Sequence, residues 1–498
     1  MNAAAEIEIL IRAKYPILFI NSWEERRVEE TLAKICQPLN RKLHTWSLTQ
    51  GMKPSVARGG TGGSALPGEL EALAQVHEAP EYTVFLLKDF HPYMKDPRVV
   101  RLLRDLASRL RGKAQTLILM GPILTLPQEL EKDLTVVEFG LPTREDIEAT
   151  LDRVIAAVKD NPNVDTSLDP LNRELLVKSA QGLTLDEIES VFARSLVETK
   201  RLDVEAVLEE KKQIVRKSGL LEYYPADSEL KDVGGMELLK EWLDQRTRSF
   251  TDKAREFGIP APKGILLLGV QGCGKSLTAK AVAANWNLPM LKLDVGRIFG
   301  SLVGQSEENI RKAIKVAESV APCVLWADEL EKGFAGTSGS GVSDGGTTAR
   351  VFATFLTWMQ EKTKPVFLIA TANDVTQLPP EMLRKGRFDE IFFIDLPDRA
   401  EREEIFRIHI DKRKRDPGTF DLAKLSDATK GFSGAEIEQC VVGGLFAAFH
   451  DGRELSQDDL LNEAKSVVPL SQMMREDIAE LRAWAQLRTR PASKQDGD

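Results

Sequence analysis

The stretch Gly269-Val270-Gln271-Gly272-Cys273-Gly274-Lys275-Ser276 constrains this chain more than any other. It follows the apolar run Gly264-Ile265-Leu266-Leu267-Leu268 and precedes a helical pattern that opens at Leu277. Strand, glycine-rich loop and helix in that order, with G-x-x-x-x-G-K-S spacing, predict backbone N–H groups turned inward around a polyphosphate. The helix N-terminus adds partial positive charge at the same place. Lys275 supplies a full charge to the outer phosphates, and the Ser276 hydroxyl can ligate Mg²⁺. A glycine-rich turn with a chance lysine would need neither the strand before it nor the helix after it.

The 498 residues suffice for about three domains of ordinary size. An apolar content of 42% supports large buried cores. The formal charge of -9 gives no support to nucleic-acid binding. The apolar runs are strand-length, so no membrane insertion is expected. The N-terminus carries early acids and no basic region, which argues against a secretory signal. Cys36, Cys273, Cys323 and Cys440 are far apart, which suits a reducing compartment and argues against a structural zinc site. The expected location is the cytoplasm, or the plastid stroma for a plastid-encoded chain.

A second apolar strand, Cys323-Val324-Leu325-Trp326-Ala327, ends in Asp328-Glu329. Beside a phosphate loop, Asp328 is expected to hold Mg²⁺ and Glu329 to polarise an attacking water. A third strand, Val366-Phe367-Leu368-Ile369-Ala370, leads to Asn373, whose amide can reach a γ-phosphate or the water. Arg384 and Arg387 follow, three apart and just past the sheet. They are poor candidates for their own site and suit a neighbouring subunit's site.

Together with Asp232-Val233-Gly234-Gly235 and Phe432-Ser433-Gly434-Ala435-Glu436, these motifs stand in the order of the AAA ATPase family. The resemblance covers residues 228 to 468. It implies a doubly wound parallel α/β sheet (228–396), a helical lid (397–468), ATP and Mg²⁺ as ligands, and ring assembly, usually hexameric. It also implies that Asp232 and Gly234 border the adenine, that His409 contacts ribose or base, and that Gly434 and Ala435 close the pocket. Two departures stand out. Leu302 occupies the place of an aromatic pore residue, and Val270, Gln271 and Cys273 replace the usual prolines and threonine. Cys273, at a helix N-terminus beside Lys275, is expected to have a depressed pKa, which would open it to oxidation; the alternative is a small filler at a variable position.

The first half repeats the plan weakly. Pro16-Ile17-Leu18-Phe19-Ile20 runs into Asn21-Ser22-Trp23-Glu24-Glu25-Arg26, where a phosphate loop would stand. Thr83-Val84-Phe85-Leu86-Leu87 ends in Lys88-Asp89, matching the Asp328 strand with its second acid lost. Thr143-Arg144-Glu145 parallels Asp398-Arg399-Ala400, and Gly182-Leu183-Thr184-Leu185-Asp186-Glu187 parallels Gly431-Phe432-Ser433-Gly434-Ala435-Glu436. Residues 1–200 are therefore expected to be a degenerate copy without a phosphate loop. A helix over 204–217 and a linker from 220 to about 228 join the halves, with the joining region set at 201–227. Residues 469–498 are expected to form a C-terminal helix and a tail, disordered from 491. The glycine-rich stretches 58–64 and 336–346 are expected to be flexible. The whole layout is similar to a little-characterised AAA family of cyanobacteria and plastid genomes. Three functions compete: an ATP-driven remodeller of protein complexes, a nucleotide-controlled scaffold binding partners through the first half, and a nucleic-acid motor, which the acidic balance disfavours.

Overall fold

The computed structural model describes residues 3–54, 68–124, 126–224, 230–247, 249–250, 254, 256–299, 305–333 and 345–494. Leu302 with its loop, the stretch 58–64 and the stretch 336–344 lie outside the described residues. The chain forms two compact units, Met1–Val207 and Leu208–Asp498, divided inside the helix Val204–Ser218.

The first unit holds β1 (Ile17–Asn21), β2 (Lys42–Ser47), β3 (Gly51–Pro54), β4 (Thr83–Leu87), β5 (Thr116–Gly121) and β6 (Leu134–Glu138), in the order β3-β2-β4-β5-β1-β6. The second holds β7 (Leu221–Tyr224), β8 (Gly264–Gly269), β9 (Met290–Leu293), β10 (Cys323–Ala327), β11 (Val366–Ala372), β12 (Glu390–Ile394) and β13 (Arg490–Pro491), in the order β13-β12-β8-β11-β10-β9-β7. Numbered by appearance, five parallel strands of each sheet follow one order, and the second sheet adds the parallel edge strand β13. It is β6-β1-β5-β4-β2 in the first unit and β12-β8-β11-β10-β9 in the second. Each sheet also has an antiparallel edge strand beside its second parallel strand, β3 on β2 and β7 on β9.

Both sheets are buried on two faces, which is why their strands are unbroken apolar runs. Ile265 and Leu267 of β8 face one core, while Leu266 and Leu268 face the other. Ile17 and Phe19 of β1 divide from Leu18 and Ile20 in the same way. A ligand site in such a fold lies beyond the carboxyl ends of the strands, where the strand order reverses. In the second unit that point is the tip of β8.

Two boundaries differ from the sequence expectation. Leu221–Tyr224, expected in a linker, pairs with β9 as the edge strand β7. The tail is ordered through residue 494: Arg490 and Pro491 pair in parallel with Phe392 and Phe393, and Ala492 is buried. Proline is tolerated there because β13 is an edge strand.

Candidate nucleotide site

At the tip of β8 the chain turns sharply into the helix Lys275–Asn285. Gly274 caps that helix at φ 86°, a left-handed conformation natural to glycine. A Cβ on Gly269 would stand 1.9 Å from the Ile394 carbonyl oxygen, so that position also excludes any side chain. The loop opens into a cavity of about 400 Å³. Gln271, Gly272, Cys273, Gly274, Lys275, Ser276 and Leu277 line it from the loop. Asp328, Glu329 and Asn373 line it from the tips of β10 and β11, Asp232 and Gly234 from the segment before the first helix, and His409, Gly434 and Ala435 from the lid. Gly269 and Val270 do not line it; their carbonyl oxygens accept from Lys275 Nζ, each at 2.7 Å.

Ser276 Oγ donates to Asp328 Oδ1 at 3.0 Å. Thr371 Oγ1 donates to the same oxygen at 2.7 Å and accepts from the Glu329 N–H at 2.9 Å. One hydroxyl at the tip of β11 thus sets both acids. Lys292 Nζ lies 3.8 Å from Asp328 Oδ2 and sits over the Trp326 ring. Glu329 has a φ of 48° and pairs with Lys332 at 2.5 Å. Asn373 is held by Glu331, whose Oε1 accepts from the Asn373 backbone N–H at 3.0 Å and from Nδ2 at 3.1 Å. Glu331 is buried, and burial raises its pKa above the ordinary value.

Lys275 is only 7% exposed, and desolvation brings its pKa down to about 8. An anion beside it would restore the favoured charge. His409 is half-buried, and its buried Nδ1 has no hydrogen-bond partner among the described residues. Desolvation lowers its pKa, which keeps the ring neutral and able to accept or donate. Cys273 departs from expectation. Burial pushes its thiol up to about 12, outweighing Lys275, so the group is not a thiolate. The lid explains the burial: the Ala435 N–H donates to the Gly272 carbonyl at 3.0 Å.

The residues fit Mg²⁺ and ATP. Among the described residues no group of three or more His, Cys, Asp or Glu could cage a metal. A magnesium ion would need only the hydroxyl and carboxylate oxygens of Ser276 and Asp328, with water and phosphate completing its shell. Arg384 and Arg387 do not line the cavity. They flank the Gly386 turn, whose carbonyl accepts from Lys263 Nζ at 3.0 Å, just before β8 begins. That is the opposite end of the strands from the phosphate loop.

Sequence reasoning missed Thr371, Glu331, Asp395, Glu401 and Ser493. Thr371 had a signal, standing two residues before Asn373 at a strand tip. Glu331, Asp395, Glu401 and Ser493 had none, because their partners are distant in sequence.

In the first unit the equivalent corner is closed. Three residues, Ser22 to Glu24, join β1 to the helix Glu25–Cys36, where five, Val270 to Gly274, serve the second unit. Glu24 is buried, accepts from the Leu185 N–H at 2.8 Å and pairs with Arg27. The space it shares with the lid encloses about 10 Å³. The groove beside it is lined by Glu25, Glu29, Glu30 and Asp186 against Arg26 and Lys88, an acidic balance that disfavours phosphate. The expected match at β4 needs correction by one place. Lys88, the first residue after β4, holds the position of Asp328, and Asp89 that of Glu329, with which it shares a φ of 48°. The lost acid is the metal ligand, not the second one.

Comparison with known proteins agrees with these two halves. The family model "ATPase family associated with various cellular activities (AAA)" matches residues 265–396. The SpoVK-like AAA ATPase N-terminal domain matches 3–139, and the SpoVK-like second domain matches 145–218. The uncharacterised AAA domain-containing protein ycf46 of Guillardia theta is 42% identical over 494 residues, covering 97% of this chain and 95% of that protein. Its counterpart in Pyropia yezoensis is 40% identical, over 97% and 98% of the two chains. The cell division cycle protein 48 homolog of Archaeoglobus fulgidus is 34% identical over 238 residues, 47% of this chain and 32% of that protein. With a phosphate loop, paired acids and lid in one unit, a sealed corner in the other, and full-length relatives of the same kind, the chain belongs to the ycf46 family of AAA domain-containing proteins.

Proposed function

We propose that the second unit binds Mg·ATP and hydrolyses it, and that the protein works as a ring-forming remodeller of protein complexes. The observation that carries the ATPase reading is the hydrogen-bonded set Ser276, Asp328, Thr371 and Glu329 at the mouth of the glycine loop. Bound Mg²⁺ supplies charge neutralisation for the phosphates. Lys275 holds the outer phosphates, and the loop N–H groups orient them. Glu329 draws on the proton of the attacking water, and Asn373, fixed by Glu331, positions that water or the γ-phosphate. Asp232, Gly234, His409, Gly434 and Ala435 bound the nucleoside end. Arg384 and Arg387, far from their own cavity, act on a neighbouring subunit's nucleotide, which supports a ring, expected to be a homohexamer.

Mixing tests that assignment. Arg384→Ala and Arg387→Ala should cut turnover by roughly 10³-fold with nucleotide affinity nearly intact. Adding Lys275→Ala protein should restore part of the activity once subunits exchange. No recovery in demonstrably mixed assemblies would contradict the interface role.

A second reading is a nucleotide-controlled scaffold whose first unit binds a partner. The sealed corner around Glu24 favours it, because that unit keeps the architecture without a nucleotide site. A pull-down with Glu329→Gln, expected to hold ATP, separates the two. Clients trapped by Glu329→Gln but released by wild type in ATP support remodelling, and partners retained equally by both support the scaffold. No described helix is long and apolar enough to cross a membrane. The expected location is the cytoplasm, or the stroma for a plastid-encoded chain, and no nucleic-acid partner is expected.

A further inference from the structure

The last residues of the chain return to the nucleotide cavity. Ser493 lines it beside Gly234, Met236 and Glu401. Its hydroxyl donates to Glu401 Oε1 at 2.5 Å and accepts from the Met236 N–H at 3.2 Å. The backbone just before it is fixed as well. The Ala492 N–H donates to Phe393 O at 2.9 Å, and Ala492 O accepts from the Leu239 N–H at 3.1 Å. Two of these four bonds reach residues that line the cavity, and the other two anchor the tail beside it.

The groups Ser493 joins belong to opposite walls. Glu401 lies in the first turn of the lid helix Arg399–Lys412, whose capping box it completes on Asp398. Met236 caps the helix Glu237–Asp244 in a left-handed conformation and follows Gly234 and Gly235. Those glycines press on the same lid helix: a Cβ on Gly234 would meet Ile405 at 2.7 Å, and the Gly235 N–H donates to Glu404 at 2.8 Å. Met236 also reaches the helix that follows the phosphate loop, because its sulfur accepts from Thr278 Oγ1 at 3.4 Å. Upstream, the same C-terminal stretch holds two more parts of the cavity's frame. The Leu470 N–H donates to Glu436 Oε1 at 2.7 Å, and Arg482 forks onto Asp395 at 2.8–3.0 Å. Asp395 lines the cavity just before the lid begins.

We propose that residues 490–493 are part of the nucleotide site, and that Ser493 is a positioning residue that sets its base end through Glu401 and the Met236 backbone. This rests on the ATP reading above. The triphosphate end is built by β8, β10 and β11 without Ser493, so the two ends respond differently to its loss. Removing the hydroxyl leaves Glu401 Oε1 and the Met236 N–H joined only by their own hydrogen bond of 3.3 Å, so the segment 234–236 is held less firmly to the lid.

The test uses the full chain titrated with ATP and, separately, with inorganic tripolyphosphate. Ser493→Ala should weaken ATP binding about three- to tenfold and leave tripolyphosphate binding unchanged. KM for ATP should rise by the same factor with kcat within about twofold, and Ser493→Thr, which keeps the hydroxyl, should restore both. A chain ending at Thr489 should show the same split, larger. Equal weakening of ATP and tripolyphosphate would mean general loosening and would overturn the proposal, as would an unchanged ATP affinity. If the shortened chain does not fold, the Ala and Thr variants decide alone. Wild-type protein that binds no ATP would sink the nucleotide reading itself, a result distinct from wild type that binds ATP as Ser493→Ala does.

Discussion

Lys88 lies 3.5 Å from Glu25, and the pair stands where Asp328 and Lys275 stand in the second unit, with the charges exchanged. Lys88 is the first residue after its strand, as Asp328 is, and Glu25 opens its helix, as Lys275 does. The exchange inverts the chemistry. An acid faces the phosphate position and a cation the metal position, so attraction to Mg·ATP becomes repulsion at both points. Glu24 completes the change by taking the Leu185 N–H onto its own carboxylate, which closes the corner.

The full chain should therefore bind one nucleotide, not two. Calorimetric titration with ATP should give one site per chain in wild type and none after Lys275→Ala. A residual site of micromolar affinity in Lys275→Ala would mean that the first unit binds nucleotide after all.

Lys275 makes binding sensitive to pH. Its folded pKa of about 8 is below the ordinary value of 10.5, so between these the unfolded chain holds more protons than the folded one. Stability of the empty protein should thus rise as pH increases through that window. ATP binding runs the other way, because the phosphates favour the charged amine. Above about pH 8 affinity should fall, and binding should take up a proton, visible as a dependence of calorimetric enthalpy on buffer ionisation. Flat affinity from pH 7 to 9.5 without proton uptake would contradict a buried phosphate-binding lysine.

Glu331 should matter to turnover rather than to binding. Replacing it by Ala frees the Asn373 amide from both bonds that hold it. Turnover should drop about 10- to 100-fold with ATP affinity nearly unchanged, and Glu331→Gln, which keeps an acceptor, should lose far less. Parallel losses in the Ala and Gln variants would mean that the charge of Glu331, rather than its hold on Asn373, is what counts.

Much of this arrangement could be read from the chain. The phosphate loop, Asp328 and Glu329 announce themselves because their chemistry requires adjacent residues at a strand tip. The repeat was legible at helix starts: Thr184 and Glu187 form a capping box, and so do Ser433 and Glu436 at the matching position. Long-range contacts were not legible. Nothing local marks Glu331 as the partner of Asn373, or Arg482 as the partner of Asp395. The tail looked disordered because its strand is two residues long and contains proline, and its order comes from pairing with Phe392 and Phe393. Leu221–Tyr224 was hidden for a similar reason, as a four-residue edge strand ordered by β9. Cys273 was misjudged because local charge favours a thiolate, while the lid that buries it begins more than a hundred residues later.

The central claim is that one unit holds a working hydrolytic site with separate duties for Lys275 and Glu329. The direct measurement is ATP binding and phosphate release, side by side, for wild type, Lys275→Ala and Glu329→Gln. Wild type should bind and release phosphate. Lys275→Ala should do neither. Glu329→Gln should bind ATP within a fewfold of wild type and release phosphate at least about 100-fold more slowly, since an amide cannot draw on the water's proton. Phosphate release by Glu329→Gln at the wild-type rate, or equal loss of binding in both variants, would contradict the account.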